Sequence, residues 1–202
     1  MIETSANNLA SVPAIIPYLK SAEFCGIDYF PLLKQAGIDA QVLSDNSKHI
    51  AGSAMEQLLL LLIKASGDNC FGLRSSQFVE PASYSVLGYI CMNCSTLRAM
   101  QAKIPIFEKI VGDMGVTSVE VKNGYVLQRW QCKFSDNLAA RHEVEHVLGS
   151  WVTYARKFLN FAPQDEVWFQ HSAPSDAALL ADYAEIFGCP VLFDQVSSGL
   201  RM

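Results

Sequence analysis

Asn123-Gly124 stands between two runs rich in Val, Tyr and Trp, residues 115–122 and 125–133. The dipeptide suits the positive backbone angles of a two-residue type I′ turn, so the flanking runs pair as an antiparallel hairpin. Alternation then sorts the side chains of the second strand. Val126, Gln128, Trp130 and Cys132 share one face, and Arg129 points the other way.

Upstream of residue 114 the chain reads as helical. Short helices are predicted over 8–20 and 27–36, punctuated by Pro13, Pro17 and Gly37. A helix over 48–65 is apolar nearly all round at its C-terminal end, so it is expected to be central and buried. Gly67-Asp68-Asn69 ends it. A second apolar helix spans 83–93. Ser95 is placed to cap a helix over 96–111, which Pro105 is expected to kink or split. Beyond the hairpin come an amphipathic helix over 137–160, a strand over 165–171, a helix over 177–187 and a strand over 190–194. A further strand begins within 196–202. No repeat, low-complexity tract or linker interrupts the series. The expected architecture is one α+β domain over residues 1–202: a helical first half followed by an antiparallel sheet with packed helices.

With 202 residues, half of them hydrophobic, the chain can bury a sizeable core. Fifteen basic against twenty acidic side chains leave a net charge of −5. That argues against direct contact with nucleic acid, whose phosphates call for a surplus of Lys and Arg. The longest apolar run, Leu58 to Ile63, is far short of a membrane span. The first thirteen residues lack the basic start of a secretory signal. Cys25, Cys70, Cys91, Cys94, Cys132 and Cys189 lie inside apolar segments and read as reduced, buried thiols of a cytoplasmic protein.

Three local patterns bear on chemistry. His142-Glu143-Val144-Glu145-His146 fits H-E-x-x-H, in which two histidines one helical turn apart hold zinc and the glutamate is a general base. On a helical wheel Val144, Leu148, Trp151, Ala155 and Phe158 form the apolar stripe. His142 and His146 lie about 160° and 200° from it, beside Thr153, Lys157 and Asn160. The motif is therefore expected on a solvated face, with exposed, inert imidazoles and no metal. Cys91-Met92-Asn93-Cys94 has no second C-x-x-C to make a zinc ribbon, and it sits at the end of an apolar helix. No phosphate-binding glycine loop or nucleophile elbow is present, so neither a cofactor nor catalysis is expected. Finally, Gln128, and His171 beside Val167 and Phe169, are polar residues on otherwise apolar strand faces. They read either as core groups with a partner or as polar handles of an apolar pocket.

An ordered set of segments resembles a known family. These are Gly67-Asp68-Asn69-Cys70-Phe71-Gly72-Leu73-Arg74, Leu87-Gly88-Tyr89 with Cys94-Ser95-Thr96-Leu97, and the hairpin at Asn123-Gly124. Val167-Trp168-Phe169 with His171 and Pro174, and then Phe187-Gly188-Cys189-Pro190-Val191-Leu192-Phe193, complete it. The set is similar to the N-terminal, arabinose-binding-like domain of AraC-type bacterial transcription regulators. The resemblance implies an effector-sensing and dimerising domain ahead of a helix-turn-helix DNA-binding domain. That second domain is expected to be missing beyond Met202, with DNA bound through it alone. A small, largely apolar effector is expected between sheet and helices. Trp130, Phe169 and Tyr89 would form its wall, and Gln128 and His171 its polar contacts. A homodimer is expected to use 96–111 or 137–160. Two alternatives stand beside this reading: a zinc metallopeptidase built on His142, Glu143 and His146, and an interaction domain with no ligand.

Overall fold

The computed structural model describes residues 8–159 and 164–202. The first seven residues of the segment read as lacking a secretory signal lie outside these, as does Asn160, the expected end of a helix.

The helical half consists of α1 (Val12–Phe24), α2 (Phe30–Gln35), α3 (Gly52–Ser66), α4 (Phe71–Ser75), α5 (Ser85–Met92) and α6 (Leu97–Val111). Two short strands, β1 (Leu9–Ser11) and β2 (His49–Ala51), pair antiparallel where helix was expected. Proline explains the first difference. Pro13 fits the opening turn of α1, where a missing N–H leaves no helical bond unmade, so the helix starts there and not at residue 8. Gly67 ends α3 in the left-handed conformation at φ 62°. Thr96, not Ser95, caps α6 by accepting a 3.1 Å bond from the Ala99 N–H. α6 then continues through Pro105 as one helix instead of splitting.

The second half begins with the expected hairpin, β3 (Gly115–Lys122) and β4 (Tyr125–Cys132), in register Lys122↔Tyr125. Asn123 and Gly124 both have positive φ, 52° and 84°, as a type I′ turn requires. α7 (Asn137–Leu159), β5 (Glu166–Trp168), α8 (Ala177–Phe187), β6 (Val191–Leu192) and β7 (Gly199–Arg201) follow. The sheet order is β3-β4-β7-β5-β6. The last strand thus lies in the middle, antiparallel to both β4 and β5. β5 and β6 pair parallel, because α8 carries the chain back across the sheet between them. The fold is α+β as expected, with this one parallel pair in a mostly antiparallel sheet.

α7 departs most from expectation. It is wedged between β4 on one side and α4 on the other, with Tyr18 of α1 reaching Glu143 and His146, and most of its length is buried. His142, Glu143, Glu145, His146 and Thr153 are all buried; the supposed solvated face is an interior one. Glycine makes the close approach possible. A Cβ on Gly72 of α4 would lie 2.1 Å from the His142 carbonyl oxygen, and one on Gly149 of α7 would lie 2.5 Å from Ser76 Oγ. Both faces of α7 are largely covered, and its exposed side chains lie towards its ends, at Asn137, Leu138 and Lys157. The loop before α7 is anchored by buried Glu56 of α3, which accepts bonds from the Ser135 and Asp136 N–H groups at 2.8 and 2.6 Å.

Candidate functional site

The buried polar groups of α7 are held by partners distant in sequence. The Gly72 N–H donates to His142 Nδ1 at 3.0 Å. His142 is therefore protonated on Nε2. Ser75 Oγ donates to the Gly72 carbonyl at 2.6 Å and lies 2.7 Å from His146 Nδ1, while Ser150 Oγ lies 3.2 Å from His146 Nε2. Tyr18 donates to Glu143 Oε2 at 2.6 Å. Arg141 donates to Glu145 Oε1 at 2.7 Å, and Tyr183 bonds the same oxygen. Burial disfavours charge here. It pushes His142 down to about 4 and His146 down to about 3, and pushes Glu143 and Glu145 up to about 7. The two histidines are thus neutral and buried, the opposite of exposed imidazoles, although His142 Nε2 has no partner among the described residues. Among the described residues no group of three His, Cys, Asp or Glu side chains is arranged to hold a metal ion. Nothing here supports a metallopeptidase.

A largely apolar cavity lies where the helices meet the sheet. It has two adjacent chambers. One, of about 70 Å³, is bounded by α5, α6, α7 and the sheet residues Gln128 and Leu200. The other, of about 110 Å³, reaches Thr117 and Trp130 on the hairpin and Glu143 and Ser150 on α7. Tyr84, Leu87, Ile104 and Trp151 belong to the walls of both and form the partition between them.

The first chamber has few polar groups. Gln128 accepts a long 3.4 Å bond from buried Gln101. Gln164 donates to the Phe187 carbonyl at 2.7 Å, but its Oε1 has no partner among the described residues, and neither has the buried Tyr84 hydroxyl. Burial raises the Tyr84 phenol well above its ordinary value and pushes the Cys91 thiol up to about 11, so both stay neutral. In the second chamber Glu143 is deep. Glu108 is partly exposed and accepts two bonds from the Thr117 N–H, at 2.9 and 3.2 Å; burial raises its carboxyl despite them.

The structure brings together two of the five residues singled out from sequence. Gln128 lines the first chamber and Trp130 the second, consecutive inward positions of β4. Phe169 does not border this cavity. It is fully buried among Tyr183, Phe187 and Phe193, with ring centroids 5.5–5.8 Å away. His171 stacks on the same cluster, 4.8 Å from Phe169, with Nε2 3.4 Å from Glu145 Oε1. It belongs to the polar framework around α7. Tyr89 is 53% exposed on the outer side of α5 and faces away from the cavity. Sequence reasoning missed Tyr84, Gln164 and Met202. Tyr84 ends a 3-10 turn (Pro81–Tyr84), which carries no periodicity to reveal its inward side. It also missed the cavity role of Trp151 and Glu143, which it had placed on an apolar stripe and a solvated face.

A sheet and a helical layer with an apolar cavity between them make this a pocket-bearing α+β domain. Its sequence matches the family described as the arabinose-binding domain of AraC transcription regulators, N-terminal, over residues 26–202, and the chain belongs to that family. A search of curated proteins finds no match. Among solved structures the chain is similar to the transcriptional regulator CdpR from Pseudomonas aeruginosa, with a TM-score of 0.63 and 14% identity. The match covers 93% of this chain and 53% of that one, so the chain spans about half the length of that regulator. At this identity the likeness is one of fold. No helix among the described residues is long and apolar enough to cross a membrane.

Proposed function

We propose that the chain is the sensory part of a cytoplasmic transcription regulator, a binding domain and not an enzyme. The two-chamber cavity takes a small, largely apolar effector, and DNA is contacted through a separate helix-turn-helix domain. The observation that carries this reading is the cavity itself: apolar walls that include Tyr84, whose buried hydroxyl faces Ser150 but makes no hydrogen bond among the described residues. Apolar surroundings with a few polar groups are the usual make-up of a small-molecule site. A buried hydroxyl without a partner costs free energy that a ligand can recover. Gln128 and Trp130 are the proposed contacts from the sheet. The chain acts as a homodimer, the commonest homo-oligomer, through the outer face of α6, where Ile106 and Ile110 are exposed.

A small-molecule screen by thermal shift tests the effector reading. A true effector raises the melting temperature with concentration, by the equivalent of about 2.7 kcal/mol at a hundred times its Kd. Ile104→Phe, which fills space at the partition, should abolish that rise. A screen in which every hit acts equally on both proteins removes the cavity as the site. Concentration-independent monomers in sedimentation remove the dimer.

A further inference from the structure

The second chamber contains a carboxylate that the fold does not explain. Glu143 is only 6% exposed, and its one hydrogen-bond partner among the described residues is Tyr18, a neutral phenol. No Lys or Arg lines either chamber. His146, the nearest basic side chain in the wall, has one ring nitrogen beside Ser75 and the other beside Ser150. By contrast Glu145, two residues on, has the Arg141 guanidinium against it. Burying a carboxylate without a counter-charge is expensive, and natural proteins normally pair or neutralise it. Here it borders empty space that also has three aromatic walls, Tyr84, Trp130 and Trp151.

We propose that the effector is a small monoamine, its ammonium seated against Glu143 in the second chamber and its apolar body against Leu87, Ile104 and Trp151. The inference rests on the cavity being the effector site and adds the chemistry of the ligand. An ammonium supplies the charge Glu143 lacks and donates to its free oxygen in a charge-assisted bond. The aromatic faces favour the same cation. Glu108, at the outer side of the chamber, adds a second negative group on the way in. Burial, which holds the Glu143 carboxyl up at about 7, is opposed by a bound cation, so binding and ionisation reinforce one another. The same wall discriminates. An alkanoate would face Glu143 and Glu108 with no cation to receive it. An amino acid would bring its own carboxylate into that field. An alcohol can donate to Glu143 but leaves its charge uncompensated.

Three probes of one chain length decide the matter: n-hexylamine, n-hexanol and hexanoate. Each is titrated into the 202-residue chain by calorimetry or thermal shift at about pH 8, where Glu143 is mostly ionised and the alkylamine is charged. The amine should bind about tenfold tighter than the alcohol or better, and hexanoate should not bind. Glu143→Gln keeps an oxygen for Tyr18 and should bring the amine level with the alcohol. If that variant does not fold, the ranking of the three probes on the native chain still decides. Hexanol binding as well as hexylamine overturns the amine inference and leaves the cavity reading standing. Hexanoate binding best overturns the inference too, and with it the charge argument. If none of the three binds, both readings fall.

Discussion

Tyr18 and Glu143 are 125 residues apart in sequence, yet the phenol donates a 2.6 Å hydrogen bond to the carboxylate inside the protein. The bond ties α1 to the N-terminal third of α7, and both partners are buried. Removing the hydroxyl leaves a buried carboxylate with no partner among the described residues, a loss of about 1–3 kcal/mol, with more for a charged group. Tyr18→Phe should therefore lower stability in urea by that amount at neutral pH. The loss should shrink in acid, where Glu143 carries a proton. An equal loss at all pH values would show that the hydroxyl matters only for packing.

The shifted groups set the pH profile of stability. His142, His146 and His171 titrate near 4, 3 and 4 in the fold, below the ordinary value of 6.5. The unfolded chain binds more protons at these sites between those limits, so stability falls as pH drops below about 6.5. Glu143 and Glu145 have the opposite sign. Their folded values near 7 exceed the ordinary 4.5, so the fold holds protons the unfolded chain has released, and stability falls as pH rises from about 4.5 through 7. Three histidines outweigh two glutamates below 6.5, and the glutamates act alone above it. Melting temperature should therefore peak at about pH 6–7. Glu143→Gln should steepen the acid side between about pH 4.5 and 6.5, where the opposing carboxyl is gone, and make the decline above it shallower.

Gly72 fixes how closely α4 approaches α7. Gly72→Ala would place its methyl group 2.1 Å from a backbone oxygen of α7, which has little room to move. The expected cost is about 1–3 kcal/mol or more, typical of overpacking. Denaturant unfolding reads it directly, and a change below about 0.5 kcal/mol would mean that the two helices can separate freely.

His146→Ala should destabilise the chain without changing its metal content. It strips partners from Ser75 and Ser150 in the interior, at about 1–3 kcal/mol. Zinc analysis of the purified native chain should find no stoichiometric metal. Stoichiometric zinc that vanishes in the variant would restore the metallopeptidase reading.

Gln128→Leu should keep the fold and weaken effector binding by about two- to twelvefold, the worth of one neutral hydrogen bond at 0.5–1.5 kcal/mol. The long bond from Gln101 is the only one it loses among the described residues. Unchanged affinity for a ligand shown to occupy the cavity would place Gln128 in the wall without a contact.

What could be read from the sequence was what local chemistry decides. The hairpin followed from Asn123-Gly124, the end of α3 from Gly67, and the inward positions of Gln128 and Trp130 from alternation. The burial of His142 and His146 did not follow from the wheel, because a wheel counts apolar residues and cannot see Ser75, Gly72 or Tyr18. Those partners become neighbours only after α1 and α4 close on α7. For the same reason Phe169 and His171 share a strand pattern with a pocket wall but belong to an aromatic cluster contributed by α8. Three-residue strands such as β1 and β2 carry too little pattern to stand out. Tyr84 gave no signal at all, being the last residue of a 3-10 turn.

The place of β7 in the sheet has a temporal consequence. Gly199–Arg201 follows the other described strands in chain order and lies between β4 and β5. Until it emerges from the ribosome, the nascent chain carries a hairpin and a β5–β6 pair with nothing joining them, each with an unpaired edge. Such edges invite pairing with other chains. The five-stranded sheet is therefore completed only when β7 joins these two pieces.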